Sequence, residues 1–305
     1  MNSMLDAQQT ADRLPWLALV NEIARLLEDD SVHVPPRLVQ ALPRGSSLFV
    51  MPAHDSRVAM TKLITFTPAN ATGNAPTIQG DVVIFDVATG TRALVLDGPT
   101  VTARRTAAVS VLAAQRLAPN ARGPLLIVGA GVQGKSHLEA FAAVLDVRDV
   151  MIASRSADSA QSLARHAQTM GLTARVVQDA NAALADCPLA VTCTPATAVV
   201  LSALPRKDAF ISAVGAFTPA MVELEPELCR YFAAQGSVFV DTADALHEAG
   251  DLLQAGLNPD SFATLRDVLR KDIKKPVGPV LFKSCGWAGW DLAAARVAMG
   301  ASTPQ

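Results

Sequence analysis

Apolar residues at Trp16, Leu19, Val20, Ile23, Leu26 and Leu27 recur three and four positions apart between Pro15 and Asp30, which predicts an amphipathic helix. Between residues 48 and 97 the pattern shortens to strand-like runs: Leu48-Phe-Val-Met, Thr61-Lys-Leu-Ile-Thr-Phe, Val82-Val-Ile-Phe and Ala93-Leu-Val-Leu. Asp86-Val-Ala-Thr-Gly90 reads as the hairpin turn before the last run. Antiparallel strands in succession predict an α+β domain. Thr102 to Ala118, rich in Ala and Leu, predicts a long helix. From residue 125 the rhythm changes again. Apolar runs at 125–128, 150–153, 174–177, 189–193, 209–214 and 238–241 are mostly separated by helix-like segments. Near-continuous apolar strands with helical crossovers predict a doubly wound parallel sheet covered on both faces. Asp291-Leu-Ala-Ala-Ala-Arg-Val-Ala predicts a final helix that returns to the first domain. The fold class is therefore α/β. A Rossmann domain over 119–291 joins a split α+β substrate-binding and dimerisation domain over 1–118 and 292–305.

The run Leu125-Leu-Ile-Val passes straight into Gly129-Ala130-Gly131-Val132-Gln133-Gly134, three glycines at the GxGxxG spacing. In a strand-turn-helix setting Gly129 permits the tight turn, and Gly131 lets a pyrophosphate approach the backbone. Gly134 lets the helix pack close to the strand. The helix N-terminus adds free N–H groups and a positive dipole end. All six loop residues are candidate cofactor contacts. At the end of the second strand, where an acidic residue would take the ribose hydroxyls of NAD, the chain reads Ser154-Arg155-Ser156. Arg155 attracts a 2′-phosphate, and the two serines donate to it, so NADPH is the expected cofactor, with NADH possible. Elsewhere Arg155 would be an ordinary solvated arginine. Thr194-Pro195, after the fourth strand, is a candidate contact to the nicotinamide ribose, with loop capping as the plainer reading.

Composition narrows the classes. Of 305 residues, 50% are hydrophobic and 18% charged, with a net charge of -2 and no basic block, which argues against nucleic acid as partner. No apolar stretch approaches the roughly 18 residues that span a bilayer. Asp6, Asp12 and Arg13 precede any apolar run, so the N-terminus does not read as a signal peptide, and a cytoplasmic protein is expected. Cys187, Cys193, Cys229 and Cys285 show no CxxC pairing and read as reduced thiols. The five histidines are scattered, so no metal site is expected. His54 and His137 read as surface or packing residues, and Trp287 and Trp290 as packing at the domain junction.

Further stretches stand out together: Met51-Pro-Ala, Thr61-Lys62-Leu-Ile-Thr, Pro76-Thr77-Ile-Gln-Gly80, Phe85-Asp86-Val-Ala-Thr-Gly90, Thr102-Ala-Arg-Arg105-Thr106-Ala-Ala, Val240-Asp241 with Glu248-Ala-Gly250, and Lys283-Ser-Cys-Gly286 with Asp291-Leu-Ala-Ala-Ala. As a set they resemble the ornithine cyclodeaminase/mu-crystallin family from about residue 30 to 300. The resemblance implies a homodimer built through the split N-terminal domain and an α-amino or α-imino acid substrate. It places Lys62 and Arg105 at the substrate carboxylate as catalytic residues, and Thr77 in the same pocket. Arg37 or Arg44 is the further carboxylate-binding arginine. Thr106 is counted with the cofactor contacts.

One departure matters. Cyclodeaminases and some alanine dehydrogenases of the family carry an aspartate after a Val-Gly pair on the fifth strand. Here Val214-Gly215 is followed by Ala216-Phe217, with Phe217 at the matching position. The ketimine-reductase members also lack that carboxylate. The resemblance therefore implies NADPH-dependent reduction of a cyclic imine such as Δ1-pyrroline-2-carboxylate or Δ1-piperideine-2-carboxylate, with Phe217 packing against the ring. Such chemistry needs a clamped carboxylate, supplied by Arg105 and Arg37, and a proton donor, for which Lys62 with a lowered pKa is the candidate. The plainer reading of Lys62 is the solvent face of a strand. Arg105 opens the predicted helix, where the dipole disfavours a cation; that placement points weakly to a ligand, and Arg104 beside it weakens the argument. The alternatives are an ornithine cyclodeaminase or amino-acid dehydrogenase on the same scaffold, or a non-enzymatic small-ligand binder.

Overall fold

A computed structural model describes residues 4–72, 75–195 and 197–300 of the chain. Met1–Arg105 with Trp287–Gln305 forms one compact unit, and Thr106–Gly286 a second. The first opens with α1 (Ala7–Asp12) and α2 (Trp16–Glu28), the predicted amphipathic helix, which buries Leu19, Val20, Ile23, Leu26 and Leu27. Five strands follow: β1 (Leu38–Ala41), β2 (Ser47–His54), β3 (Val58–Phe66), β4 (Ile78–Asp86) and β5 (Arg92–Asp97), in the antiparallel order β1-β2-β3-β4-β5. The β4–β5 turn forms as its sequence predicts. Asp86 Oδ1 accepts from the Thr89 N–H and hydroxyl, both at 2.8 Å, and Gly90 takes φ 68°, where a side chain is disfavoured. Helix α3 (Gly98–Leu117) starts at Gly98 rather than at Thr102. It begins hard against β4, because a Cβ on Gly98 would stand 2.6 Å from the Gly80 carbonyl oxygen. Arg105 therefore lies beyond the first helical turn, where the N-terminal dipole no longer disfavours a cation. Its neighbour Arg104 donates from Nε to the Leu14 carbonyl at 2.9 Å and stacks 3.8 Å over the Trp16 ring.

The second unit carries β6 (Leu125–Val128), α4 (Val132–Leu145), β7 (Asp149–Ala153), α5 (Ala157–Thr169), β8 (Thr173–Val177), α6 (Ala180–Leu184), β9 (Leu189–Thr192), β10 (Thr197–Leu201), β11 (Phe210–Ala213), β12 (Val222–Leu224), α7 (Pro226–Gln235), β13 (Ser237–Val240), α8 (Ala245–Glu248), α9 (Gly250–Gln254), β14 (Ala263–Thr264), α10 (Leu265–Arg270) and β15 (Val280–Lys283). Eight strands form one parallel sheet in the order β14-β13-β15-β11-β9-β6-β7-β8, and β10 pairs with β12 apart from it. The chain winds outward from β6 to β7 and β8, then reverses to β9 and β11, which puts the switch point between β6 and β9. The sequence pattern predicts the runs that become β6, β7, β8, β9, β11 and β13. It does not reveal β15, which inserts between β13 and β11. Val280-Leu-Phe is a short run ended by Lys283, a charge that usually marks the water side, yet Lys283 is fully buried.

The last helix, α11 (Ala288–Ala298), belongs to the first unit, where it packs on α2 and on β2 and β3. Almost all of it is buried, including its two charged residues, Asp291 and Arg296. Arg296 is satisfied on every side: Nε meets Asp55 Oδ2 at 2.5 Å, Nη1 meets Glu22 Oε1 at 3.3 Å, and Nη2 meets Asp29 Oδ2 at 2.5 Å. No described helix is long and apolar enough to cross a membrane, and Cys187, Cys193, Cys229 and Cys285 are thiols, not disulfides.

Candidate active site

Period-two alternation along β3 decides where Lys62 points. Val58, Met60, Lys62 and Ile64 share the buried face, whereas Leu63 is 44% exposed on the other. The residues opposite Lys62 on β2 and β4 are Met51 and Val82, both buried and uncharged. Its Nζ meets Asp291 Oδ2 at 2.8 Å. Asp291 sits in the first turn of α11, where the helix dipole favours an anion, and is itself fully buried. Arg105 Nε stands 3.4 Å from the other oxygen, Asp291 Oδ1, and neither atom has a hydrogen bond. Burial pulls the Lys62 ammonium down to about 8. Asp291 opposes that fall, and the charges of Arg105 and Arg37 add to it. Asp291 thus bridges two buried cations, Lys62 and Arg105, and the charge of Arg37 also reaches Lys62.

The two arginine candidates separate here. Arg37 is half-buried and its charge acts on Lys62. Arg44 sits exposed in the β1–β2 turn at φ 63°. Thr77 lies half-buried just before β4, its carbonyl accepting from the Thr67 N–H at 2.8 Å. Asp291 carries no role in the sequence reading, although it stands in a quoted stretch. The available signal was a lone carboxylate in a helix of small apolar residues.

In the second unit the glycine loop has the shape that a pyrophosphate needs. Gly129 takes φ 116°, and a Cβ there would stand 2.8 Å from the Cys193 carbonyl oxygen at the end of β9. A Cβ on Gly134 would lie 2.0 Å from the Gly129 oxygen, which is the close helix–strand packing expected. Gly131 has open space around its Cβ position and caps α4 without any side-chain hydrogen bond, so the first N–H groups of α4 stay available. Ala130, Val132 and Gln133 complete the turn into that helix. The loop residues present therefore fit a dinucleotide. Ser154, Arg155 and Ser156 follow β7. Arg155 is exposed with no ion pair or hydrogen bond among the described residues, while Ser156 Oγ accepts from the Ser159 N–H and caps α5.

Glu223, unmarked in the sequence reading, organises the strand ends beside the loop. It is fully buried. Oε1 accepts from the Thr194 N–H at 2.7 Å and hydroxyl at 2.8 Å, and Oε2 from the Thr192 hydroxyl at 2.9 Å and the Gly215 N–H at 2.7 Å. Burial nonetheless raises its pKa, opposed by Lys283 and by the bonds from Thr194. Pro195 is exposed beyond this anchor, and Phe217 is half-buried against the sheet's apolar core. Thr106 is buried, its carbonyl near the Ser110 hydroxyl at 3.3 Å. His137 is wholly buried between the Ser110 hydroxyl at 3.0 Å and the Gln133 carbonyl at 2.8 Å. Burial pushes it down to about 4, so it is neutral at neutral pH and braces the first turns of α4. Among the described residues no cluster of three or more His, Cys, Asp or Glu could hold a metal ion.

Residues 3–301 match the ornithine cyclodeaminase/mu-crystallin family. The chain belongs to that family. The Δ1-pyrroline-2-carboxylate reductase 1 of Burkholderia multivorans is 38% identical over 98% of this chain and 95% of its own length. The Δ1-pyrroline-2-carboxylate/Δ1-piperideine-2-carboxylate reductase of Azospirillum brasilense is 37% identical over the same shares, 98% and 95%. Among solved structures, an archaeal alanine dehydrogenase dimer with bound NAD superposes with a TM-score of 0.87 over 97% of this chain and 94% of its own, at 22% identity, a likeness of fold. The resemblance visible in the lysine strand, the Arg-Thr-Ala-Ala helix and the glycine loop thus extends over nearly the whole family length.

Proposed function

We propose that this chain reduces the cyclic α-imino acids Δ1-pyrroline-2-carboxylate and Δ1-piperideine-2-carboxylate to L-proline and L-pipecolate, with NADPH as reductant. The observation that carries the reading is the buried pair Lys62 and Arg105 on the carboxylate of Asp291, with half-buried Arg37 acting on Lys62. The names of the relatives at 37% and 38% identity support the substrate class.

Gly129, Gly131 and Gly134 with the N-terminus of α4 would hold a nicotinamide dinucleotide, and that group would supply the hydride. The protein does the rest. Arg105 and Arg37 hold the substrate carboxylate, Arg105 through guanidinium Nη donors that bond nothing else among the described residues. Lys62 gives a proton from Nζ to the imine nitrogen, so that one hydride and one proton convert C=N to CH–NH. A pKa of about 8 suits a donor at neutral pH, since the ammonium is populated yet releases its proton readily. Phe217 offers no carboxylate where the cyclodeaminase members hold their base, which favours reduction of a preformed imine over release of ammonia. Unpaired Arg155 after β7 supports NADPH over NADH.

A homodimer through the first unit is part of the reading. Leu38, Leu63 and Phe85, which are 57%, 44% and 36% exposed, share the sheet face turned away from Lys62, an apolar surface that a second copy would cover.

The test follows NADPH absorbance with each cyclic imine, then with ornithine, alanine, and proline plus NADP. Turnover on the imines and none on ornithine or alanine is expected. Ammonia released from ornithine, or ligand binding without hydride transfer, would overturn the reading.

A further inference from the structure

We infer that Asp291 is a positioning residue of this site: standing between Lys62 and Arg105, it aims the Lys62 ammonium and holds a proton on it between turnovers. The inference rests on the proposed reduction and adds a residue to it. Asp291 reaches both cations with different oxygens, Oδ2 to Lys62 Nζ at 2.8 Å and Oδ1 to Arg105 Nε at 3.4 Å. It is fully buried in the first turn of α11, so its aim is fixed by a helix packed on β3 rather than by a mobile loop. No other hydrogen bond to Lys62 Nζ is formed among the described residues. The charged groups acting on Lys62 are Asp291, Arg105 and Arg37, and the strand neighbours Met51 and Val82 carry none. Of these charges only that of Asp291 favours the ammonium. Without it, burial and two arginines would discharge the lysine.

A merely structural carboxylate would leave the pH profile of the reaction in place when its charge is removed. Asp291→Asn keeps an acceptor but loses the charge. Activity that requires protonated Lys62 falls as pH rises through the lysine's pKa. In Asp291→Asn that alkaline limb of kcat/KM should move to lower pH by about one unit or more. kcat should fall, and KM for the imine should not rise, because the arginines lose a counter-charge that competes with the substrate carboxylate. Asp291→Glu restores the charge at a shifted position. Its limb should stay at the wild-type pH while kcat drops on the order of 100-fold.

An unmoved limb in a folded Asp291→Asn enzyme overturns the inference. Should that variant not fold, Asp291→Glu decides alone, and wild-type kcat in it also overturns the inference. Titration of Lys62 by NMR of ε-carbon-labelled lysine, in wild type and Asp291→Asn, reads the same shift without any turnover. It therefore tests Asp291 even if the wild type reduces no imine, an outcome that would defeat the proposed function alone.

Discussion

Lys62 and Lys283 are both buried strand lysines, one in each unit, and each meets a buried aspartate at nearly the same distance, 2.8 Å to Asp291 and 2.9 Å to Asp251. They titrate in opposite directions. Burial pulls both ammonium groups down, but Lys62 falls to about 8 while Lys283 rises above the ordinary lysine value. The difference lies in what surrounds each pair. Around Lys62 the further charges are Arg105 and Arg37. Around Lys283 they are Asp251 backed by Glu223, and its Nζ also donates to the Ala213 carbonyl at 3.2 Å. Lys283 sits with two buried carboxylates, Asp251 and Glu223, although Asp251 Oδ2 makes no hydrogen bond. Asp251 Oδ1 accepts from the Glu223 and Leu224 N–H groups, and Glu223 in turn holds Thr192, Thr194 and Gly215. The further charges acting on Lys62 are cationic. Burial and a paired aspartate are common to both lysines; the sign of the further charges sets the direction in which each titrates.

Lys62→Met should lower kcat/KM on the cyclic imine by about 100- to 10,000-fold, the usual worth of a positioned proton donor, and leave the denaturant midpoint nearly unchanged because Asp291 keeps Arg105. Lys283→Met should do the reverse. It strands Asp251 and Glu223 without a cation, and urea unfolding should report a loss of about 3–5 kcal/mol. Arg105→Met should raise KM for the imine roughly 10- to 100-fold, the loss of a charged hydrogen-bonding partner, as steady-state kinetics would register. Arg155→Ser, in the second unit, should weaken NADPH about tenfold and leave NADH unchanged, measured by fluorescence titration, since only the 2′-phosphate would miss it.

Stability should also change with pH, and the sign differs between the two lysines. Lys62 is a weaker base folded than unfolded, so between about 8 and the ordinary 10.5 the unfolded chain binds more protons, and the contribution of Lys62 to stability rises with pH. Lys283 is a stronger base folded, so its contribution is full below 10.5 and is lost as pH rises through its higher folded value. Urea midpoints across that range should lose the upward component in Lys62→Met and keep it in Lys283→Met.

Much of this could be read from the chain because local rules and tertiary demands agree. The amphipathic α2, the Asp86–Gly90 turn and the apolar strands around the glycine loop are each specified by near neighbours. Alternation within Thr61–Phe66 alone permits Lys62 on the solvent face; in the structure Val58, Met60 and Ile64 share its side and bury it. What escaped depends on distant partners. Asp291 is 229 residues from Lys62 in sequence, and nothing in its own helix says which cation it meets. Glu223 and Lys283 carry no local sign of their burial, because the carboxylate, ammonium and backbone groups that satisfy them come from separate strands and loops. Arg37 and Arg44 lie too close in sequence to rank, and only the turn at φ 63° sets Arg44 apart.

The most direct measurement is an NMR titration of ε-carbon-labelled lysine in the wild-type protein, with Lys62 and Lys283 assigned from their methionine variants. The account predicts that Lys62 loses its proton near pH 8 and that Lys283 stays charged past the ordinary lysine value of 10.5. A Lys62 that titrates at or above 10.5, or two lysines that titrate together, would contradict it.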